Sequence, residues 1–212
     1  MMSRLVEAAG QVIRLGASTL GVRGGTEEPE CSTQELTSEV CIRRYGPRVA
    51  ARTSVGGSEE EARSIGFRRL AGYIFGANND GDRIAMTAPV SQQPRSEADL
   101  AVVTIPASAA ERGGEQTWVI QFYMPRDRSL EALPRPRDAR VELVAVEPET
   151  MAVLRFSGDR DPSSIAEHTQ RLRRVLADHG VIIAGEPIAW FYDPPWTLPF
   201  LRRNEVAIPI KP

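Results

Sequence analysis

The chain has 212 residues, 42% of them hydrophobic and 25% charged, a composition that lets one domain bury its own core without a metal or disulfide framework. A formal net charge of -2 excludes a sequence-independent nucleic-acid binder, which needs clustered positive charge to displace counterions. Cys31 and Cys41 form neither a CxxC pair nor a disulfide scaffold, and no apolar run approaches the ~18 residues of a membrane span, so the reducing cytoplasm is the expected setting.

In chain order, residues 1–30 read as an N-terminal segment and linker. Leu5, Ala8, Ala9, Val12 and Ile13 recur at helical spacing up to the break at Gly24 and Gly25. Glu7, Gln11 and Arg14 interrupt the continuous apolar stretch that a secretory signal requires. Two roles stay open for this amphipathic helix: docking on the domain, or a weak contact with a membrane surface. The domain itself spans 31–212. EVCIRRYGPRVAARTSV predicts two short strands turning at Gly46 and Pro47. SEEEARSIGFRRLAGYIFG predicts a helix capped by Ser58, with acidic residues at the positive end of its dipole and a stop at Gly76. Strands are expected at IAMTAPV, AVVTIP and TWVIQFYMP; in the first, Ile84, Met86, Ala88 and Val90 alternate as an inward face, and Pro89 marks a bulge or strand end.

The second half repeats the plan with VELVAVEPETMAVLRFSGD, the helix SSIAEHTQRLRRVLADHG, IAWFYDP and EVAIPI. A shift of about 102 residues sets Gly56 on Gly158, Leu70 on Leu172 and Ile74 on Leu176, which supports an internal duplication. The expected fold is α+β: two β-β-α-β-β halves forming a twisted antiparallel β-barrel, closed or nearly so, flanked by two helices.

Three pieces then acquire a meaning together. GFRRLAGYIFGANNDGDRIAMTAPV resembles the signature of the SOUL family of haem-binding proteins, with IRRYGP upstream and PPWTLPFLRRNEVAIPI downstream in the family's order. The resemblance covers about Cys31 to Ile210 and implies reversible binding of haem, or of a metal-free porphyrin, in a shallow apolar cleft beside the first helix. It extends at the level of fold to effector-binding domains of the gyrase-inhibitor type, a group that includes small-molecule sensors and some hydrolases.

The residues can be read for such a site directly. At 100° per residue, Ala62, Gly66, Leu70, Tyr73 and Ile74 form the stripe that packs on the sheet, while Phe67, Ala71 and Phe75 form a second apolar face with Arg68 beside it. A planar ligand with carboxylate arms needs such a face with a cation at its edge. The loop DPPWTLPFLRRNE offers an opposing wall: prolines stiffen it, Trp196, Leu198, Phe200 and Leu201 concentrate apolar surface, and Arg202 and Arg203 adjoin it. Met86 is a further candidate contact through its thioether. The two histidines, His168 and His179, fall on or at the end of the second helix, remote from this site, and Arg44 stands where some family members carry histidine, so binding is expected without imidazole ligation. Metal ligands and catalytic residues are both expected to be absent, since GxSxG, HExxH and GxxxxGK(S/T) are all missing. The alternative reading, a small-molecule effector module or a hydrolase, rests on fold likeness and on Glu205, Tyr192 and Trp190 as cleft-lining candidates.

Overall fold

The computed structural model of the chain describes residues 26–95, 116–194 and 196–212. The expected N-terminal helix and the strand AVVTIP lie outside the described residues. Among the described residues, nine strands form one antiparallel sheet: β1 (Cys31–Glu35), β2 (Val40–Tyr45), β3 (Arg48–Gly56), β4 (Val90–Pro94), β5 (Thr117–Tyr123), β6 (Glu142–Val146), β7 (Glu149–Phe156), β8 (Ile188–Phe191) and β9 (Asn204–Pro209). Their spatial order is β1-β2-β7-β9-β8-β4-β5-β3-β6. Two helices, α1 (Glu59–Ile74) and α2 (Pro162–Asp178), each join the second and third strands of one half.

The duplication is visible in the pairing. β3 and β4 flank β5, β7 and β8 flank β9, and β4 joins β8 between the halves. The first strand of each half crosses over, β2 onto β7 and β6 onto β3. One register runs through both crossings, with Tyr45 opposite Glu149 and Arg48 opposite Val146. The chain around Gly46 and Pro47 is therefore a bend in a long strand rather than a hairpin, and the two bent strands zip together and curl the sheet into the expected twisted barrel. Two details differ from the sequence reading. The left-handed glycine that matches Gly158 (φ 103°) is Gly57 (φ 116°), one residue beyond the Gly56 of a uniform shift. The strand predicted over IAMTAPV begins only at Val90, directly after the cis Ala88-Pro89 bond, so Met86 lies outside it and stands 38% exposed instead of facing inward.

Both helices start on local chemistry. The Ser58 hydroxyl accepts from the Glu61 N–H at 3.4 Å and donates to the Glu61 carboxylate at 2.8 Å, an N-cap that satisfies one of the donors the first turn leaves over. Asp161 caps α2, with Pro162 in its first turn. The buried residues of α1 are the five of the sequence stripe, and Leu70, Tyr73 and Ile74 among them join a core with Ile120, Phe122 and Leu133. Leu172 and Leu176 of α2 meet Val206 and Ile208 in a second core.

Gly66 sets how closely α1 approaches the sheet. A Cβ there would lie 2.4 Å from Cγ1 and 2.7 Å from Cβ of the fully buried Ile120, and the second of these atoms cannot rotate away. Gly66→Ala is expected to push α1 outward and to cost about 1–3 kcal/mol despite alanine's better helix propensity, read as a lowered urea midpoint. A variant as stable as the parent would show that α1 rides more loosely than its packing implies.

Candidate ligand-binding site

Two chain segments bring apolar side chains to the surface, and each has a local reason to do so. On α1, Phe67 is half-buried and packs edge-on against Phe122 at 5.4 Å, Ala71 is half-buried one turn later, and Phe75, at the helix C-cap, is 57% exposed. Arg68 beside them is exposed and donates to the Ser64 carbonyl at 3.3 Å. After the helix, Asn78 holds the turn with side-chain bonds to Tyr73 O and Asp82 O, and the Ile84 N–H donates to Ile74 O at 2.8 Å. The connection therefore docks back on the helix end through the buried Ile84, and Met86 follows it at the surface.

The second segment is the loop from Asp193 to Arg203, which is anchored at its base. The Arg203 N–H donates to the Asp193 carboxylate at 2.6 Å, the Gly158 N–H to Pro199 O at 2.9 Å, and the Arg202 Nε to Thr197 O at 2.8 Å. Thr197 is fully buried as the internal post. A 3-10 turn over Pro199–Leu201 completes the frame. Around that post Trp196, Leu198 and Phe200 stand 54%, 41% and 70% exposed, so the loop is held from beneath while its apolar groups face outward.

The two segments are linked by a cation cluster that local sequence reasoning missed. Arg63 of α1 lies over the Phe191 ring at 4.8 Å, and Arg160, just before α2, approaches the same ring at 5.8 Å. Burial, together with the charges of Arg63 and Arg202, pushes the Arg160 pKa down to about 10. Three guanidiniums thus repel one another, with Glu59, Glu60 and Asp193 offsetting part of that charge and Asp159 standing 3.9 Å from Arg202, and a further carboxylate or phosphate would relieve the remainder. Arg63 is four residues before Phe67 and so on the same side of α1, a weak signal available in the sequence; Arg160 had none, because only the fold carries it there.

Arg202 and Arg203 part company. Arg202 belongs to the cation cluster, whereas Arg203, equally buried, follows the alternation of β9 to Glu205. Its Nε donates to Glu205 at 2.9 Å and its guanidinium covers the Tyr192 ring at 3.7 Å. Glu205 is fully buried and also accepts from both terminal nitrogens of Arg43, at 2.7 and 3.0 Å, and from the Tyr192 hydroxyl at 2.7 Å. Trp190 is buried on the same inner face, edge-on to Tyr45 at 5.9 Å. Glu205 and Tyr192 are therefore bound into a saturated internal network, which leaves that carboxylate no free lone pair with which to act as a base.

His168 stacks on Phe156 at 4.0 Å with its Nδ1 on Ser164 O, and His179 sits at the C-cap of α2 with its Nδ1 on Val175 O. Both Nδ1 atoms are thus taken up by backbone carbonyls of α2, and neither histidine is on α1 or on the loop from Asp193 to Arg203.

A curled antiparallel sheet of two like halves, each with one helix, defines a known class of fold. The C-terminal domain of EcmrR shares it with a TM-score of 0.57 at 11% identity, covering 84% of this chain and 98% of that one. A hydrolase from Listeria innocua shares it with a TM-score of 0.51 at 12% identity, over 80% of this chain and 91% of that one. Within the class the particular family is settled by sequence. The SOUL heme-binding protein family model matches residues 26–209, and the chain belongs to that family. It is 30% identical over 171 residues to heme-binding protein 2 of Mus musculus, covering 78% of this chain and 75% of that protein. It is 29% identical over 146 residues to heme-binding protein 2 of Homo sapiens, covering 66% and 63% respectively.

Proposed function

We propose that this protein binds haem or a related porphyrin reversibly, as a carrier, buffer or sensor, on the surface between α1 and the Asp193 to Arg203 loop. One observation carries the reading beyond family membership. Of the seven large hydrophobic side chains exposed among the described residues, six (Ile65, Phe75, Met86, Trp196, Leu198 and Phe200) lie on α1, the connection after it, or that loop. Burying several hundred Å² of ring at about 25 cal/mol per Å² offsets the ordering costs of binding and leaves micromolar affinity or better. Arg63, Arg160 and Arg202 receive the carboxylates in place of the pair Arg202 and Arg203, with Arg68 on the outer edge. The cytoplasm suits two free thiols of which Cys31 is exposed.

Neutralising two of the three clustered cations separates ligand binding from folding. Arg63→Gln with Arg160→Gln should weaken haem about tenfold in an absorbance titration, and flatten its salt dependence, because two charge-assisted contacts are lost. Folding stability should stay within about 1 kcal/mol, since the substitutions also remove mutual repulsion. Unchanged haem affinity would remove the cluster from the site.

A further inference from the structure

A second cavity, apart from the α1 and loop surface, lies at the open end of the barrel. It encloses about 470 Å³ and is lined on the barrel side by Pro47, Arg48, Val49, Tyr123, Met124 and Arg128. Residues 27–30 cross over it as a strap. The Ala88 N–H donates to Glu27 O at 2.9 Å, the Glu27 carboxylate accepts from the Arg126 N–H at 2.9 Å, Glu30 pairs with the Arg126 guanidinium, and Glu28 takes Arg203 Nη1 at 2.9 and 3.1 Å.

Opposite charges therefore face one another across this cavity, the acids on the strap and the cations Arg48, Arg126 and Arg128 on the barrel. Arg48 is the deepest of these. Its side chain is 10% exposed, and its guanidinium sits 4.4 Å from the Tyr45 ring centre and 4.7 Å from that of Tyr123. Nη2 pairs with Glu149, but among the described residues Nε and Nη1 are buried with no hydrogen-bond partner. Arg48 lines the cavity, and a guanidinium held by one carboxylate keeps donors for a second, which a small turn of the side chain away from the Tyr123 hydroxyl would present to it. The volume is near the lower end for small-ligand pockets, which suits a compact molecule of one or two rings.

We propose that the barrel mouth is a binding site for a small aromatic carboxylate, whose acid group pairs with Arg48 and whose ring lies against Tyr123, Val49 and Met124. The acidic strap competes for it, because Glu30 supplies Arg126 of the cationic rim with the carboxylate it otherwise takes from a ligand, while Glu28 pairs outside the cavity with Arg203. The site is independent of haem.

Isothermal titration calorimetry with 2-naphthoate tests this without haem present. Glu30→Gln should bind naphthoate saturably and several-fold more tightly than the parent, the scale of releasing one exposed competing ion pair. Arg128→Gln, on the rim and clear of the buried network, should weaken binding several-fold, and Arg48→Gln should abolish it. The uncharged 2-naphthalenemethanol should not bind. Retained binding in a Phe75→Asp, Phe200→Asp variant keeps this site distinct from the porphyrin surface. Equal affinity for the acid and the alcohol, equal affinity in parent and strap variant, or no binding in the strap variant would each overturn the proposal.

Discussion

Glu205→Ala is expected to lower the stability of the fold by about 3–5 kcal/mol, the usual consequence of removing one partner from a buried ion pair. The residue is fully buried and accepts four hydrogen bonds, from Arg43, Arg203 and Tyr192. Its loss strands Arg43, 13% exposed, without its carboxylate, while Arg203 keeps Glu28. For a domain of this size the melting temperature should fall by roughly 10 °C. The same network fixes a pH dependence. Burial alone would push the Glu205 carboxyl up, but the hydrogen bonds and charges of Arg43 and Arg203 and the Tyr192 hydroxyl outweigh it and hold the group below its ordinary range. A carboxylate whose folded pKa is depressed gives its full stabilisation above the unfolded value of ~4.3 and loses it as pH falls through the folded value. Melting temperature should therefore drop below about pH 4 in the parent and be flatter there in Glu205→Gln. A Glu205→Ala protein within 1 kcal/mol of the parent would mean that the network is not an element of stability.

The second large effect concerns the ligand. Phe75→Asp combined with Phe200→Asp should weaken haem binding by more than about a hundredfold, because two aromatic side chains worth about 1.5–3 kcal/mol each on burial are replaced by carboxylates facing the propionates. Phe75 and Phe200 are 57% and 70% exposed in the free protein, so the fold should tolerate the change within about 0.5 kcal/mol per site. That contrast separates a binding defect from misfolding: intact melting with lost haem supports the surface, and intact haem binding sinks it.

Much of the fold was legible because its determinants are local. The Ser58 cap, the five-residue core stripe of α1 and the stop at Gly76 all appear where spacing placed them. What escaped was long-range. No local pattern reveals that β2 pairs with β7 rather than with the adjacent β3, since both alternatives present the same alternation of side chains. IAMTAPV alternates like a strand, yet Ile84 instead uses its N–H on the end of α1, which takes Met86 out of the ladder. β1 is exposed along its whole length, and so lacks the apolar alternation by which strands are recognised. At the candidate site the apolar members Phe75, Trp196, Leu198 and Phe200 were readable as apolar residues where water is expected. Adjacent Arg202 and Arg203 looked equivalent, although counting back by two from Glu205 puts Arg203 on the inner face. Arg160 joins Arg63 only through the way α2's leading turn meets β8, which no spacing along the chain encodes.

The most direct measurement is an absorbance titration of the purified protein with haem and, in parallel, with iron-free protoporphyrin. Binding that rests on ring burial and guanidinium pairing predicts a saturable one-to-one spectral shift for both ligands, with similar affinities and no low-spin bis-imidazole signature. No saturable shift for either ligand, or a clear bis-histidine spectrum with binding lost on removal of iron, would contradict it.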